Sequence, residues 1–166
     1  MTDTPTIVIA MHNAMNNAIE ETPYVDSIQT LMRGLEEKGM HVSFHRLYEL
    51  QLDSSDVDNI VRLRPSVVFV AYTPEYGISI GDSCAWDPTP SISELRTKLE
   101  AAQCTAPIIL SAPKITHESR QKLKELCTII SGDSAPTYYN DSVDPAVYAA
   151  IQQALNDRGK PQRERQ

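Results

Sequence analysis

Five short apolar runs, rich in β-branched residues, alternate along this chain with stretches whose apolar positions recur at helical spacing. The runs are Thr6–Met11, Val42–Leu47, Val67–Ala71, Pro107–Leu110 and Thr128–Ile130. Near-continuous apolar strands separated by amphipathic helices predict a parallel sheet covered on both faces. Such a sheet gathers its working loops past the carboxyl ends of its strands. The pattern therefore says where a site belongs before any residue says what it does.

The helices have readable ends. Thr22-Pro23 opens the first, since proline at the first helical position loses no hydrogen bond. Ile28, Leu31, Met32 and Leu35 form its stripe, and Gly39 closes it as a left-handed cap. The second run alternates in places, which sets it toward an edge of the sheet. Ser54 or Ser55 is expected to cap the next helix, with Val57, Ile60, Val61 and Leu63 inward and Arg64-Pro65 as its stop. Ser66 to Ala71 reads as the central strand, without polar interruption after its first residue. Ser91-x-x-Glu94 is a capping-box pattern ahead of Leu95, Leu99 and Ala102. Thr116 caps a helix expected to reach Leu126, and Asp144-Pro145 begins the last, with Val147, Ala150, Ile151 and Leu155 inward and Gly159 beyond. Two connections are long for this architecture: residues 12–21 after the first strand and residues 72–90 after the third. Residues 1–159 are expected to form a single domain and residues 160–166 a polar tail.

Composition narrows the function classes. The 41% apolar share and mean hydropathy of -0.32 suit a globular protein. No stretch approaches the ~18 unbroken apolar residues of a membrane span, so no membrane partner is expected. A net charge of -7 speaks against nucleic-acid binding, which needs basic residues to neutralise phosphates. Cys84, Cys104 and Cys127 cannot all pair and lack CxxC spacing, which points to the reducing cytoplasm. The acidic surface leaves a small molecule, a basic protein or a second copy of the chain as partners.

The order of these elements resembles a flavodoxin-like domain: a three-layer α/β/α sandwich around a five-stranded parallel sheet in the order 2-1-3-4-5. Two families within that group come close. One is the cobalamin-binding-like domain that accompanies radical enzymes. Thr22-Pro23-Tyr24, Leu35-Glu36-Glu37-Lys38-Gly39-Met40-His41-Val42 and Leu63-Arg64-Pro65-Ser66-Val67-Val68 are similar to its motifs, over residues 6 to 131. The resemblance implies a cobalt-coordinating histidine after the first strand, where His12 stands. Ala10 and Met15, however, replace the aspartate and glycine of that loop, and Ser111-Ala112 replaces a Gly-Gly after the fourth strand. The other family is the response-regulator receiver, which Pro107-Ile108-Ile109-Leu110-Ser111-Ala112 resembles. Receivers imply carboxylates after strand one, an aspartate ending strand three and a lysine after strand five. His12-Asn13, Tyr72-Thr73 and Ser131-Gly132 occupy those places, so a receiver without phosphoryl transfer, a pseudo-receiver, is what the resemblance leaves. No GxGxxG or GxxxxGK[ST] fingerprint is present.

The candidate ligand-binding residues are His12, Asn13, Asn16, Asn17, Tyr72, Thr73, Tyr76, Trp86, Ser111, Lys114 and Ser131, all on segments that leave strand ends. Asparagine both donates and accepts, which suits a polar small molecule, though the same residues also make turns and caps. Tyr72, Tyr76 and Trp86 could form an aromatic lid or pack their own loop. Lys114 and His117 could meet an anion or stand in solvent. Glu20, Glu21, Asp82, Asp87 and Asp133 could supply a base if they converge. His41 and His45 share a face of the second strand but have too few companions for a metal site.

These readings favour a regulatory or accessory module that binds a small molecule or protein at the carboxyl edge, without phosphoryl transfer. Two alternatives stay open. One is a small hydrolase or transferase using the His12 loop and the Asp82–Asp87 loop. The other is a cobalamin-binding-like domain with a degenerate ligand motif.

Overall fold

The computed structural model describes residues 4–12, 31–47, 52–71, 89–111, 117–130 and 145–157. Its strands are β1 (Thr6–His12), β2 (His41–Leu47), β3 (Val67–Ala71), β4 (Ile108–Ser111) and β5 (Thr128–Ile130). They form one five-stranded sheet in the order β2-β1-β3-β4-β5, every pair parallel. This is the flavodoxin-like three-layer arrangement. The helices are α1 (residues 31–37), α2 (Ser54–Arg62), α3 (Thr89–Ala101), α4 (His117–Leu123) and α5 (Pro145–Asn156).

Strand side chains alternate between faces, so each apolar run feeds two cores. Val8, Ala10, Val68, Val70, Ile108 and Leu110 meet Val57 and Ile60 of α2, Ile92, Leu95 and Leu99 of α3, and Leu123 of α4. Ile7, Ile9, Val67, Phe69 and Ile109 meet Leu31 and Leu35 of α1, and Val147, Ile151 and Ala154 of α5. Ile7 to Ala10 and Val67 to Val70 have no exposed surface, which explains why these runs lack polar interruptions.

The amino edge is pinned by chain crossings. Ser66 donates its backbone N–H to Thr6 (2.7 Å) and accepts at Oγ from the Thr6 N–H (3.0 Å), while His41 donates to Pro5 (2.9 Å). Outside the core, Lys98 of α3 reaches Asp58 of α2 at 2.8 Å and Glu94 one turn back at 3.2 Å. These carboxylates raise its pKa, with Asp58 first.

Three helix ends stop alike. α1 closes with Met40 donating to Leu35 and Gly39 to Glu36, and Gly39 takes φ +91° as the sequence predicts. α3 repeats this with Cys104 donating to Leu99 and Gln103 to Glu100, but the left-handed residue is Gln103, at φ 59°. In α2 the left-handed residue is Arg64 (φ 50°), and Pro65 has no N–H to complete the second bond.

Several boundaries correct the expectations. The cap of α2 is Asp53, not Ser54 or Ser55: its side chain accepts from the Asp56 N–H, and Asp56 reciprocates toward the Asp53 N–H. α3 begins at Thr89, so Ser91 lies inside it, and its hydroxyl donates instead to the Leu52 carbonyl at 3.1 Å. α4 ends at Leu123, before Leu126, because the Leu126 N–H turns back to the Leu123 carbonyl only three residues away, at 2.9 Å. β4 is shifted by one residue, since Pro107 contributes only its carbonyl, to the Val68 N–H at 3.0 Å.

Candidate functional site

In an all-parallel sheet the strand ends form a single crest. Met11 lies opposite Ala71, Ala71 opposite Ser111 and Ser111 opposite Ile130, while His12 lies opposite Leu47. Neighbouring strands are about 4.8 Å apart, so the ends of β1 and β4 stand roughly 10 Å from one another on this crest. The chain reverses its direction of growth across the sheet between β1 and β3. That switch point is where open α/β sheets form a crevice beyond their carboxyl ends.

Of the predicted site residues, His12 ends β1 and Ser111 ends β4, at the same edge of the sheet. Ser111 is buried, at 6% exposure. Two positions past Ile109, it shares that residue's face, the one covered by α1 and α5. Tyr72 and Ser131 follow Ala71 and Ile130 in the chain and lie outside the described residues. So do Asn13, Asn16, Asn17, Thr73, Tyr76, Trp86 and Lys114, as well as Glu20, Glu21, Asp82, Asp87, Asp133 and Cys84. His117 begins α4 and is exposed.

The structure also assembles a group that the sequence reading passed over. His45 lies on the edge strand β2, opposite Ala10 and two positions before the end of the strand. Its place in the register puts it on the α2 face, and its Nε2 meets Asp56 Oδ1 at 2.8 Å. The other carboxylate oxygen, Oδ2, accepts from the Asp53 N–H at 3.0 Å, and the Asp56 N–H donates to Asp53 Oδ1 at 2.8 Å. One carboxylate thus both caps a helix and holds an imidazole. The His45 and Asp56 side chains are 19% and 12% exposed. The signal was present as Asp53-x-x-Asp56 ahead of an apolar helix, but two adjacent serines drew the cap assignment to themselves. Among the described residues no group of three or more histidine, cysteine or carboxylate side chains could hold a metal ion.

The described cysteines are not placed for nucleophilic work. Cys104 is buried and donates to the Pro65 carbonyl at 3.3 Å. Burial pushes the Cys127 thiol up to about 12, against a smaller opposing effect of Arg96, so it stays protonated at neutral pH. Among the described residues no helix is long and apolar enough to cross a membrane. Comparison with protein-family models and with curated proteins finds no match to this chain.

Proposed function

We infer that this chain is a regulatory or accessory module that takes a small molecule or a protein partner at the carboxyl edge of its sheet, without phosphoryl transfer. The observation that carries the reading is the strand order β2-β1-β3-β4-β5, which sets a topological switch point between β1 and β3. The stretches expected to follow those two strands as long loops, residues 12–21 and 72–90, hold most of the candidate residues. Ser111 on β4 adds a polar group to the same edge. The residues at the ends of β1 and β3 are His12-Asn13 and Tyr72-Thr73, which offer neither the carboxylate pair for Mg²⁺ nor a phosphoacceptor aspartate. Cobalamin is not part of the proposal. A buried serine ends β4 where the nucleotide tail of a corrin needs close backbone approach.

Amide chemical-shift mapping with a library of polar fragments tests the reading. Perturbations should concentrate at Ala10 to His12, Ala71, Ser111 and Ile130, accompanied by a change in Trp86 fluorescence. Binding that maps instead to the amino edge, at Thr6, His41, Ser66 and Ile108, overturns it. A visible absorption band in the purified protein would bring corrin, flavin or haem back into consideration.

A further inference from the structure

The His45–Asp56 pair fixes more than a contact. An ionised aspartate only accepts hydrogen bonds, so the His45 Nε2 at 2.8 Å from Asp56 Oδ1 carries the hydrogen. In the neutral ring this leaves Nδ1 with its lone pair. Nδ1 makes no hydrogen bond among the described residues, and the side chain is 19% exposed, neither sealed in the core nor fully in water. The carboxylate cannot turn away, because its other oxygen and its backbone N–H are held by Asp53 at the start of α2. The helix cap therefore dictates the tautomer of a histidine one strand away from His12.

The geometry points to His45 Nδ1 as a hydrogen-bond acceptor of the carboxyl-edge site, one that takes a hydroxyl or amide N–H of a polar small molecule. Asp56 is its positioning residue. The assignment rests on the binding reading above but adds chemistry to it: the neutral ring selects donors and disfavours groups that only accept. His45 stands two residues from the end of β2 and opposite Ala10, two residues before His12, so the β1 end lies one strand across and about 6.6 Å further along the sheet. It gives the site a polar acceptor on the α2 side of the sheet, opposite the side that Ser111 faces.

The same cap supplies an unusual test. In Asp56→Asn, the amide oxygen is required by the Asp53 N–H, so the NH₂ group must turn toward His45. Nε2 then becomes the acceptor, the ring hydrogen moves to Nδ1, and the acceptor is lost while the shape is kept. The full chain, its Asp56→Asn variant and its His45→Gln variant are compared by ¹⁵N NMR of the imidazoles at a pH of about 8.5, above the ordinary histidine range. Carbethoxylation by diethyl pyrocarbonate, which attacks an unprotonated ring nitrogen, is followed by peptide mass spectrometry. Exposed His41 on the same strand serves as the internal reference.

Wild type should show the Nε2–H tautomer at His45 and carbethoxylation of that residue. Asp56→Asn should show Nδ1–H and slow the modification by about tenfold, the factor that one hydrogen bond's preference supplies. A wild-type Nδ1–H tautomer, or an unmodified His45 when His41 is fully modified, overturns the inference, and neither result depends on Asp56→Asn folding. His45→Gln assigns the His45 signals and removes the modified peptide. None of these measurements uses a ligand, so a failure of the fragment mapping would sink the binding reading and leave this test standing.

Discussion

Gly34 lies in the middle of α1, facing Tyr148 of α5 across the helix–helix contact. A Cβ built there overlaps the Tyr148 hydroxyl and meets ring atoms Cε1 and Cζ at 3.1 Å. Alanine in a helix interior is normally better than glycine by about 1 kcal/mol. Here that gain is opposed. The ring must withdraw, and its packing is worth about 2 kcal/mol, within the roughly 1.5–3 kcal/mol that burying a large apolar side chain supplies. Lys38 lies 5.0 Å from the ring centroid, and losing that cation–π contact adds roughly 0.5 kcal/mol at such an exposed site. Gly34→Ala should therefore destabilise by about 1.5 kcal/mol in the wild type and stabilise by about 1 kcal/mol in a Tyr148→Ala background, a coupling of about 2.5 kcal/mol. Urea unfolding followed by far-UV circular dichroism gives the four free energies. The sign reversal is the diagnostic result. Equal destabilisation in both backgrounds would place the cost in the backbone at position 34 and refute the argument from the ring.

Gln103 is exposed and left-handed, so Gln103→Gly removes about 1 to 2 kcal/mol of strain and gives back part of it in unfolded-state entropy. A net gain of about 0.5 to 1 kcal/mol is expected in the same assay, whereas a loss would mean that the Gln103 side chain has a role the fold does not suggest. Cys127 should resist Ellman's reagent in the folded protein at pH 8 and react on unfolding. Because its folded pKa of about 12 exceeds the unfolded 9.0, its contribution to stability is complete below pH 9 and is lost as the pH rises from there toward 12. Prompt native reactivity of the Cys127 peptide would contradict its burial. Acetyl phosphate with Mg²⁺ should leave the chain unlabelled, and a single stable acyl-phosphate adduct in mass spectrometry would undo the case against receiver chemistry.

How much of this was legible in the sequence depends on where the physics is local. β3 and β5 fall at their predicted residues because β-branched runs bounded by turns report burial on both faces. The edge position of β2 was readable from its alternation, and Phe44, 44% exposed, shows why an edge strand tolerates such mixing. Gly39 was legible because a left-handed cap favours glycine; Gln103 and Arg64 were not, since nothing in their chemistry announces φ > 0. The Ser91 pattern misled because its hydroxyl serves a carbonyl thirty-nine residues away. His45–Asp56 was missed for the same reason, being a tertiary contact between two locally ordinary positions.

The last helix carries a consequence for the birth of the protein. Val147 and Ile151 of α5 cover the face that Ile7, Ile9 and Phe69 present, so the C-terminal helix closes over strands made long before it. A nascent chain that has emerged through β3 can pair its first three strands, which are contiguous in the sheet, yet must carry an apolar face only partly covered, by α1, until residues 145–157 leave the ribosome. At about 5 to 20 residues per second this window lasts on the order of ten seconds. During it Phe69, the largest fully buried side chain among the described residues, lacks the cover of α5, and a chaperone that favours aromatic surface would find it there.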